Sequence, residues 1–323
     1  MKKIFVIIPD KPPYSLCAKS FAKGFKHAGF YMEKSISSEL DNEELFDFKP
    51  DFVLCFDFTE LNEGLLNQVY LKKTNCIFIF DILTSINPKS QKKDILALEN
   101  FEGKKLILTA DKSNLTSIED SIYLPCGVNI KKYKTPFEKY NQGISIFSNP
   151  DDINNLKVIT DLIQHFGKIS LFADEFDYLH SLENELWEEI EDAEVKENYR
   201  KSYCGDVSTE KERAKAMSSS FVNVIPASHT PEGVDFTVFE VIASSGFAIC
   251  EETPEIKRLF DVGREIETYK YTKELIDKIE FYLKNPSFAR TIADNARMAA
   301  VNNHSVQIRV RKIFDIINKK FKE

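Results

Sequence analysis

The sequence has no basic stripe, no closely paired cysteines and no apolar run long enough to span a bilayer. Each absence removes a class of function. Lysine and arginine total 43 against 51 acids, a formal net charge of -8. A nucleic-acid binder needs clustered cations to neutralise phosphates, so nucleic acid is not an expected partner. The six cysteines, Cys17, Cys55, Cys76, Cys126, Cys204 and Cys250, are widely spaced and form no C-x-x-C pair. Several sit in apolar runs, the usage of reduced, buried thiols in a cytoplasmic protein. No His/Cys cluster has zinc spacing. The opening MKKIFVIIPDK has a basic end, but Pro9-Asp10 ends its apolar run too early for the ~7–15 residues of a signal peptide. No stretch approaches the ~20 apolar residues of a membrane span. The expected location is the cytoplasm, with at most peripheral contact at the inner face of a membrane. There is no internal repeat, no low-complexity segment and no Ser/His/Asp or Cys/His arrangement.

What is present is the composition of a soluble globular protein, 43% apolar and 29% charged. A chain of 323 residues fits two domains of ordinary size. In the first half, apolar runs at Lys2–Ile8, Asp51–Phe58, Asn75–Ile82, Lys105–Ala110 and Ile122–Leu124 read as buried strands. A helix stopped by Gly29 and a helix over Leu61–Tyr70 alternate with them, and Tyr31–Glu33 reads as a further short strand. Continuous apolar strands alternating with helices imply an open parallel sheet covered on both faces. Ligands gather at the carboxyl ends of such strands, where Asp10, Asp57, Asp81 and Asp111 lie. No G-x-G-x-x-G follows the first strand, so a dinucleotide-binding site loses its main support.

A second alternation begins after a linker at about Thr135–Gln142. Strands are expected at Gly143–Ser148, Lys168–Ala173 and Ser220–Ile225. Helices are expected over Asp151–Phe166, with Asp151 as N-cap, and over Thr209–Met217. The acidic stretch from Asp174 to Arg200 reads as helical. After the strand Phe247–Cys250 come Glu255–Phe260, Ile266–Tyr271 and helices over Lys273–Lys284 and Pro286–Asn302. A last amphipathic helix puts Val306, Val310, Ile313, Phe314, Ile317 and Phe321 on one face.

The stretch Thr230–Glu251, TPEGVDFTVFEVIASSGFAICE, organises the rest. It reads as a polar turn, a short helix, a glycine stop and a buried strand. Helix N-termini attract anions, so a phosphate fits near Gly233–Thr237 with Glu232 and Glu240 on either side. Glu232-x7-Glu240, followed by Ala243-Ser244-Ser245-Gly246, resembles the donor-site segment of GT-B glycosyltransferases. The continuation resembles their CgeB-like branch: Phe260, Gly263 and Glu265, then Tyr282 to Pro286, then His304, Ser305 and Arg309. Ile122–Tyr133 is similar to the P-x-G-V link that precedes the second domain in these enzymes, and Gly127 would allow a turn with positive φ there. The sequence departs from the branch at Thr237, where an arginine is usual, and from the general pattern at Asp235, where a second glycine is usual.

The resemblance implies an α/β protein of GT-B type, with two Rossmann-like domains facing each other across a cleft. Their expected bounds are 1–140 for the acceptor and 141–305 for the nucleotide-sugar donor, with 306–323 a helix crossing back to the first domain. It implies a hexosyltransferase that takes a nucleoside-diphosphate sugar as donor substrate and a glycan, lipid-linked or protein acceptor. No cofactor and no metal is implied. Glu240 would hold the ribose, and Glu232 hydroxyls of the transferred sugar. Gly233, Val234, Asp235 and Thr237 would line the phosphates, and Lys157 would face the diphosphate. Arg200, Lys201 and Arg213 are further cations for that task, and the sequence does not choose among them. Asp81 is the candidate general base, unless transfer retains configuration and needs none. Each residue has a plainer reading as a cap, surface charge or core partner. Two alternatives stay open: a nucleotide-sugar epimerase on the same fold, and a non-catalytic scaffold with a decayed donor site.

Overall fold

A computed structural model describes residues 1–10, 14–36, 39–40, 42–56, 76–84, 86, 91–134, 139–226 and 230–321 of the chain. Asp57, the helix expected over Leu61–Tyr70 and part of the expected linker lie outside the described residues. Among the described residues no helix is long and apolar enough to cross a membrane. The chain forms two compact units. The first comprises 1–129, 229–236 and 304–323, and the second comprises 130–228 and 237–303.

The first unit holds a six-stranded parallel sheet in the order β2-β1-β3-β4-β5-β6. Its strands are β1 (Lys3–Ile8), β2 (Tyr31–Ile36), β3 (Phe52–Phe56), β4 (Ile77–Ile82), β5 (Lys104–Thr109) and β6 (Ser121–Tyr123). Central strands β3 and β4 are buried at every position, as continuous apolar runs demand. The helix Tyr14–His27 ends where Gly29 takes φ +88°. The last helix, Val306–Lys320, packs on it. Phe314 on that helix touches Phe25, Phe30 and Phe52 with ring centroids 4.7 to 5.7 Å apart. Gly127 does not take positive φ. A Cβ there would stand 2.6 Å from Arg309 Cγ and 3.1 Å from Val306 Cα, so the glycine is required by close approach to the last helix. Arg309, itself buried, donates from Nε to the carbonyls of Pro125 and Cys126 at 2.7 and 3.1 Å.

The second unit holds a five-stranded parallel sheet in the order β11-β10-β9-β7-β8. These are β7 (Gln142–Phe147), β8 (Ser170–Phe172), β9 (Ser220–Ile225), β10 (Ala248–Glu251) and β11 (Glu267–Tyr269). Its core gathers apolar side chains of the strands with Trp187, Tyr199, Leu275 and Ile292 from the covering helices. The first helix of this unit, Ile153–Phe166, is capped by Asp152, whose carboxylate accepts the N–H groups of Asn154 and Asn155. The expected cap, Asp151, pairs instead with His180 at 2.9 Å. The acidic stretch is three short helices, Glu175–Ser181, Glu185–Glu189 and Ala193–Ser202. Asp174, Asn184 and Asp192 each accept backbone N–H at a new helix start, which divides the stretch that composition reads only as helical.

Candidate functional site

In the second sheet β7 leads to β8 on one side and β9 lies on the other. The strand order therefore reverses beside β7, and ligands of open parallel sheets bind at the carboxyl edge of such a point. Three side chains of this unit meet at that edge. The helix Glu210–Ser219 runs directly into β9, so its first turn lies at the carboxyl edge, and Arg213 is on that turn. The helix Phe236–Ala243 leaves from the segment after β9 and carries Glu240. Tyr133 arrives from the segment before β7.

All three are buried, Glu240 and Tyr133 with no exposed surface. The Arg213 guanidinium grips the Glu240 carboxylate with two nitrogens. Nε–H donates to Oε1 at 2.8 Å and an Nη2–H donates to Oε2 at 2.5 Å. Tyr133 Oη–H donates to Oε1 at 2.5 Å. Burial, then the Glu240 charge, push the Tyr133 phenol well above its usual pKa, so it stays a protonated donor. Arg213 also lies 5.4 Å from the ring centre of Phe147, at the end of β7, and that ring stacks on Phe172 at 4.6 Å. A buried carboxylate is tolerable only when donors surround it, and this bidentate grip supplies them.

The helix carrying Glu240 is closed by tight packing. Ser245, with φ 60°, makes the left-handed turn at its end. Gly246 has a different reason, since a Cβ there would stand 2.9 Å from Asn223 Nδ2 and 3.0 Å from the Met217 carbonyl. The expected glycine stop is thus divided between a strained serine and a glycine chosen for space. Thr237 and Val234 are buried, and Asp235 is half-buried.

Glu232 and Gly233 belong to the first unit, anchored on Asp111 just past the end of β5. Asp111 is fully buried. Its Oδ2 accepts the Glu232 N–H at 3.2 Å, and its Oδ1 accepts the N–H and Oγ–H of Ser113. The Lys112 N–H donates to the Glu232 carbonyl at 3.2 Å. A Cβ on Gly233 would stand 2.4 Å from the Ala110 carbonyl oxygen. The close backbone approach that a glycine permits is therefore made to β5, while the Glu232 residue is exposed.

Asp81 lies near the end of β4 in the first unit and is 2% exposed. Its Oδ1 has no hydrogen-bond partner among the described residues. Burial raises its pKa from 3.8 to about 7. A carboxylate poised there can take a proton at neutral pH.

Lys157 stands apart from the carboxyl-edge cluster. Its side chain is 65% exposed and pairs with Asp161 at 3.4 Å. It lines a hollow of about 420 Å³ together with Asp161, Glu189, Glu191 and Asp192. Those carboxylates oppose the approach of a diphosphate. Of the cations named from the sequence, Arg213 is the one that pairs with Glu240. Sequence reasoning gave Tyr133 no part at the site. Its only signal was its place closing the P-x-G-V link.

Comparison with solved structures decides the fold. A glycosyltransferase from Rickettsia africae aligns over 100% of this chain and 99% of its own, with TM-score 0.70 and 16% identity. The fold is GT-B. Anabaena HepE in complex with UDP aligns over 99% and 100% of the two chains, with TM-score 0.70 and 13% identity. Sucrose-phosphate synthase from Thermosynechococcus elongatus aligns over 99% of both, with TM-score 0.67 and 11% identity. The family model described as glycosyl transferase-like matches residues 174–315, which include Arg213, Glu232 and Glu240 of this GT-B chain. No curated protein sequence matches it. The α/β, GT-B class implied by the sequence motifs is thus borne out.

Proposed function

We propose that the protein is a metal-independent hexosyltransferase of GT-B type. It moves a sugar from a nucleoside diphosphate to a glycan, lipid-linked or protein acceptor. Synthesis of cell-surface polysaccharide or glycoconjugate, in the cytoplasm with at most peripheral membrane contact, fits this reading. The observation that carries it is the buried Glu240, held by Arg213 and Tyr133 at the carboxyl edge beside the strand-order reversal. A carboxylate there is an acceptor suited to hydroxyl donors, and ribose presents them. UDP bound to HepE, a protein of the same fold, supports a nucleotide-sugar donor.

The roles divide among the residues. Glu240 takes the ribose, with Thr237 beside it on the same helix. Glu232 accepts hydrogen bonds from hydroxyls of the transferred sugar, on a loop tied to Asp111 at Glu232 and Gly233, and Gly233, Val234 and Asp235 line the phosphates. An acceptor oxygen forms the new bond to the anomeric carbon as the bond from that carbon to the diphosphate oxygen breaks. The diphosphate leaves with the electron pair, and Asp81 takes the acceptor's proton.

Calorimetric titration with UDP, GDP, CDP and their common sugar conjugates tests the reading on the wild type and Glu240→Ala. Binding of one nucleotide family, lost in a variant that still folds, is the expected result. A folded wild type that binds none of them at millimolar concentration overturns it.

A further inference from the structure

Two helices of the first unit present charge of nearly one sign to solvent. In the helix Tyr14–His27 there is no acid, and Lys19, Lys23 and Lys26 stand at steps of four and three, the spacing of one helix stripe. Apart from Tyr14 and His27, every other residue of that helix is buried. The last helix, Val306–Lys320, exposes Arg311, Lys312, Lys319 and Lys320 against one acid, Asp315. The two helices pack on each other. A Cβ on Gly24 would stand 3.0 Å from Val306 and 3.1 Å from Val310, and the Phe25 ring meets that of Phe314. Their outer faces therefore lie side by side. The stripes come from opposite ends of the chain, so no window of the sequence joins them. Lys320 is matched by Asp120 at 3.6 Å. Seven cations thus stand against two acids, on a chain whose formal net charge is -8.

The helical rise spreads each stripe over about 10 Å, and packed helices lie about 8–10 Å apart. The positive charge covers an area; it is not gathered at a point or drawn out along a line. An area of cations matches a layer of anionic headgroups better than a single phosphate or a single polymer strand. Beside Lys319 and Lys320 a hollow of about 520 Å³ opens against β6, with Ile122 and Ile316 in its wall. An apolar wall next to ammonium groups suits an amphiphile. Among the described residues the lining holds no aromatic ring on which a nucleic-acid base would stack.

We infer that the outer faces of these two helices form a docking surface for an anionic lipid bilayer. This rests on the reading of a transferase in peripheral contact with a membrane, and deepens it by naming the surface and the lipid class. The second unit is not suited to the task at its own hollow, where Asp161, Glu189, Glu191 and Asp192 would repel such a layer.

The test is co-sedimentation of the full chain with vesicles of phosphatidylcholine alone, and of equal parts phosphatidylcholine and phosphatidylglycerol. The wild type should bind the mixed vesicles at low salt and not the neutral ones. Binding should be lost at about 1 M salt, where screening acts within about 3 Å. Each lysine near an anionic surface contributes about fivefold in partition, so the triple variant Lys19→Gln, Lys23→Gln, Lys26→Gln should bind about 10²-fold weaker. Glutamine keeps helix propensity, and thermal melting checks the fold. Arg311→Gln with Lys312→Gln should weaken binding by about tenfold or more. The control removes the same charge from exposed lysines of the second unit, Lys168→Gln, Lys273→Gln, Lys284→Gln, and should bind within about twofold of the wild type. Equal losses in control and patch variants overturn the surface while leaving membrane contact standing. Wild-type binding to neutral vesicles as tight as to mixed ones overturns the lipid class. No binding to mixed vesicles at low salt overturns the inference together with the membrane contact, and binding of a duplex oligonucleotide in its place gives the face to nucleic acid. The assay contains no nucleotide, so none of these results bears on the donor site.

Discussion

Asp81 and Glu240 are both almost fully buried carboxylates, one toward the carboxyl edge of each sheet, and they are treated in opposite ways. Glu240 receives three hydrogen bonds, two of them from a cation. Asp81 has one oxygen with no partner among the described residues, and burial alone lifts its pKa to about 7. Equal burial therefore does not give equal chemistry. Where donors were built around the acid, it is a fixed ionic acceptor fit to hold a ligand. Where they were not, it is an acid whose charge is in balance at neutral pH, fit to move a proton. Two roles follow from partners, not from depth.

Changing each acid to its amide puts this contrast at risk. Glu240→Gln keeps the shape but leaves the Arg213 charge buried without its counter-ion. The expected cost is about 3–5 kcal/mol in urea unfolding. A loss below about 1 kcal/mol would mean that the pair does not act as a buried ion pair. Asp81→Asn should have the opposite sign. The Asp81 carboxyl titrates near 3.8 unfolded and near 7 folded, so the folded state binds more protons across that window. Stability falls as pH rises through it, and the amide escapes the loss. At pH 8 the variant should be more stable by on the order of 1–3 kcal/mol, with the difference gone at about pH 4. A variant less stable than wild type at pH 8 breaks the comparison. Activity should fall by about 10²-fold or more in the same variant. Glu232→Gln serves as the exposed control. Unfolding should shift by no more than about 0.5 kcal/mol while turnover drops. A larger shift would mean that its side chain, not only its backbone, ties the loop to Asp111.

Much of the fold was legible because it rests on local periodicity. The apolar strands of the first sheet, the Gly29 stop, the helices over Thr272–Lys284 and Pro286–Asn303 and the last amphipathic helix all follow from spacing that any window shows. The motif order from Glu232 to Arg309 carried the GT-B class. Caps were less legible. Asp151 and Asp152 are equal candidates in sequence, and only the chain path lets Asp152 reach two helix N–H groups. Composition likewise marked the acidic stretch as helical without placing its two breaks.

The site was legible as a set of names and not as a set of roles. The spacing of Glu232 and Glu240 suggests a matched pair. Yet one is exposed with its backbone tied to Asp111, and the other has its side chain tied to Arg213 and Tyr133. Tyr133 lies 107 residues from Glu240 and Arg213 lies 27 away, separations over which no local pattern reports contact. The glycines show the same limit. Gly127 is marked in sequence as a turn with positive φ and Gly233 as a close approach to phosphate, but what each needs is room against Arg309 and Ala110. The sequence by itself determined the apolar strands, the strongly periodic helices and the fold class, because these depend on alternation and on motifs read along the chain. Tertiary structure decided which acid is charged, which glycine is crowded and which cation meets Glu240, because burial and pairing arise only when distant segments are brought together.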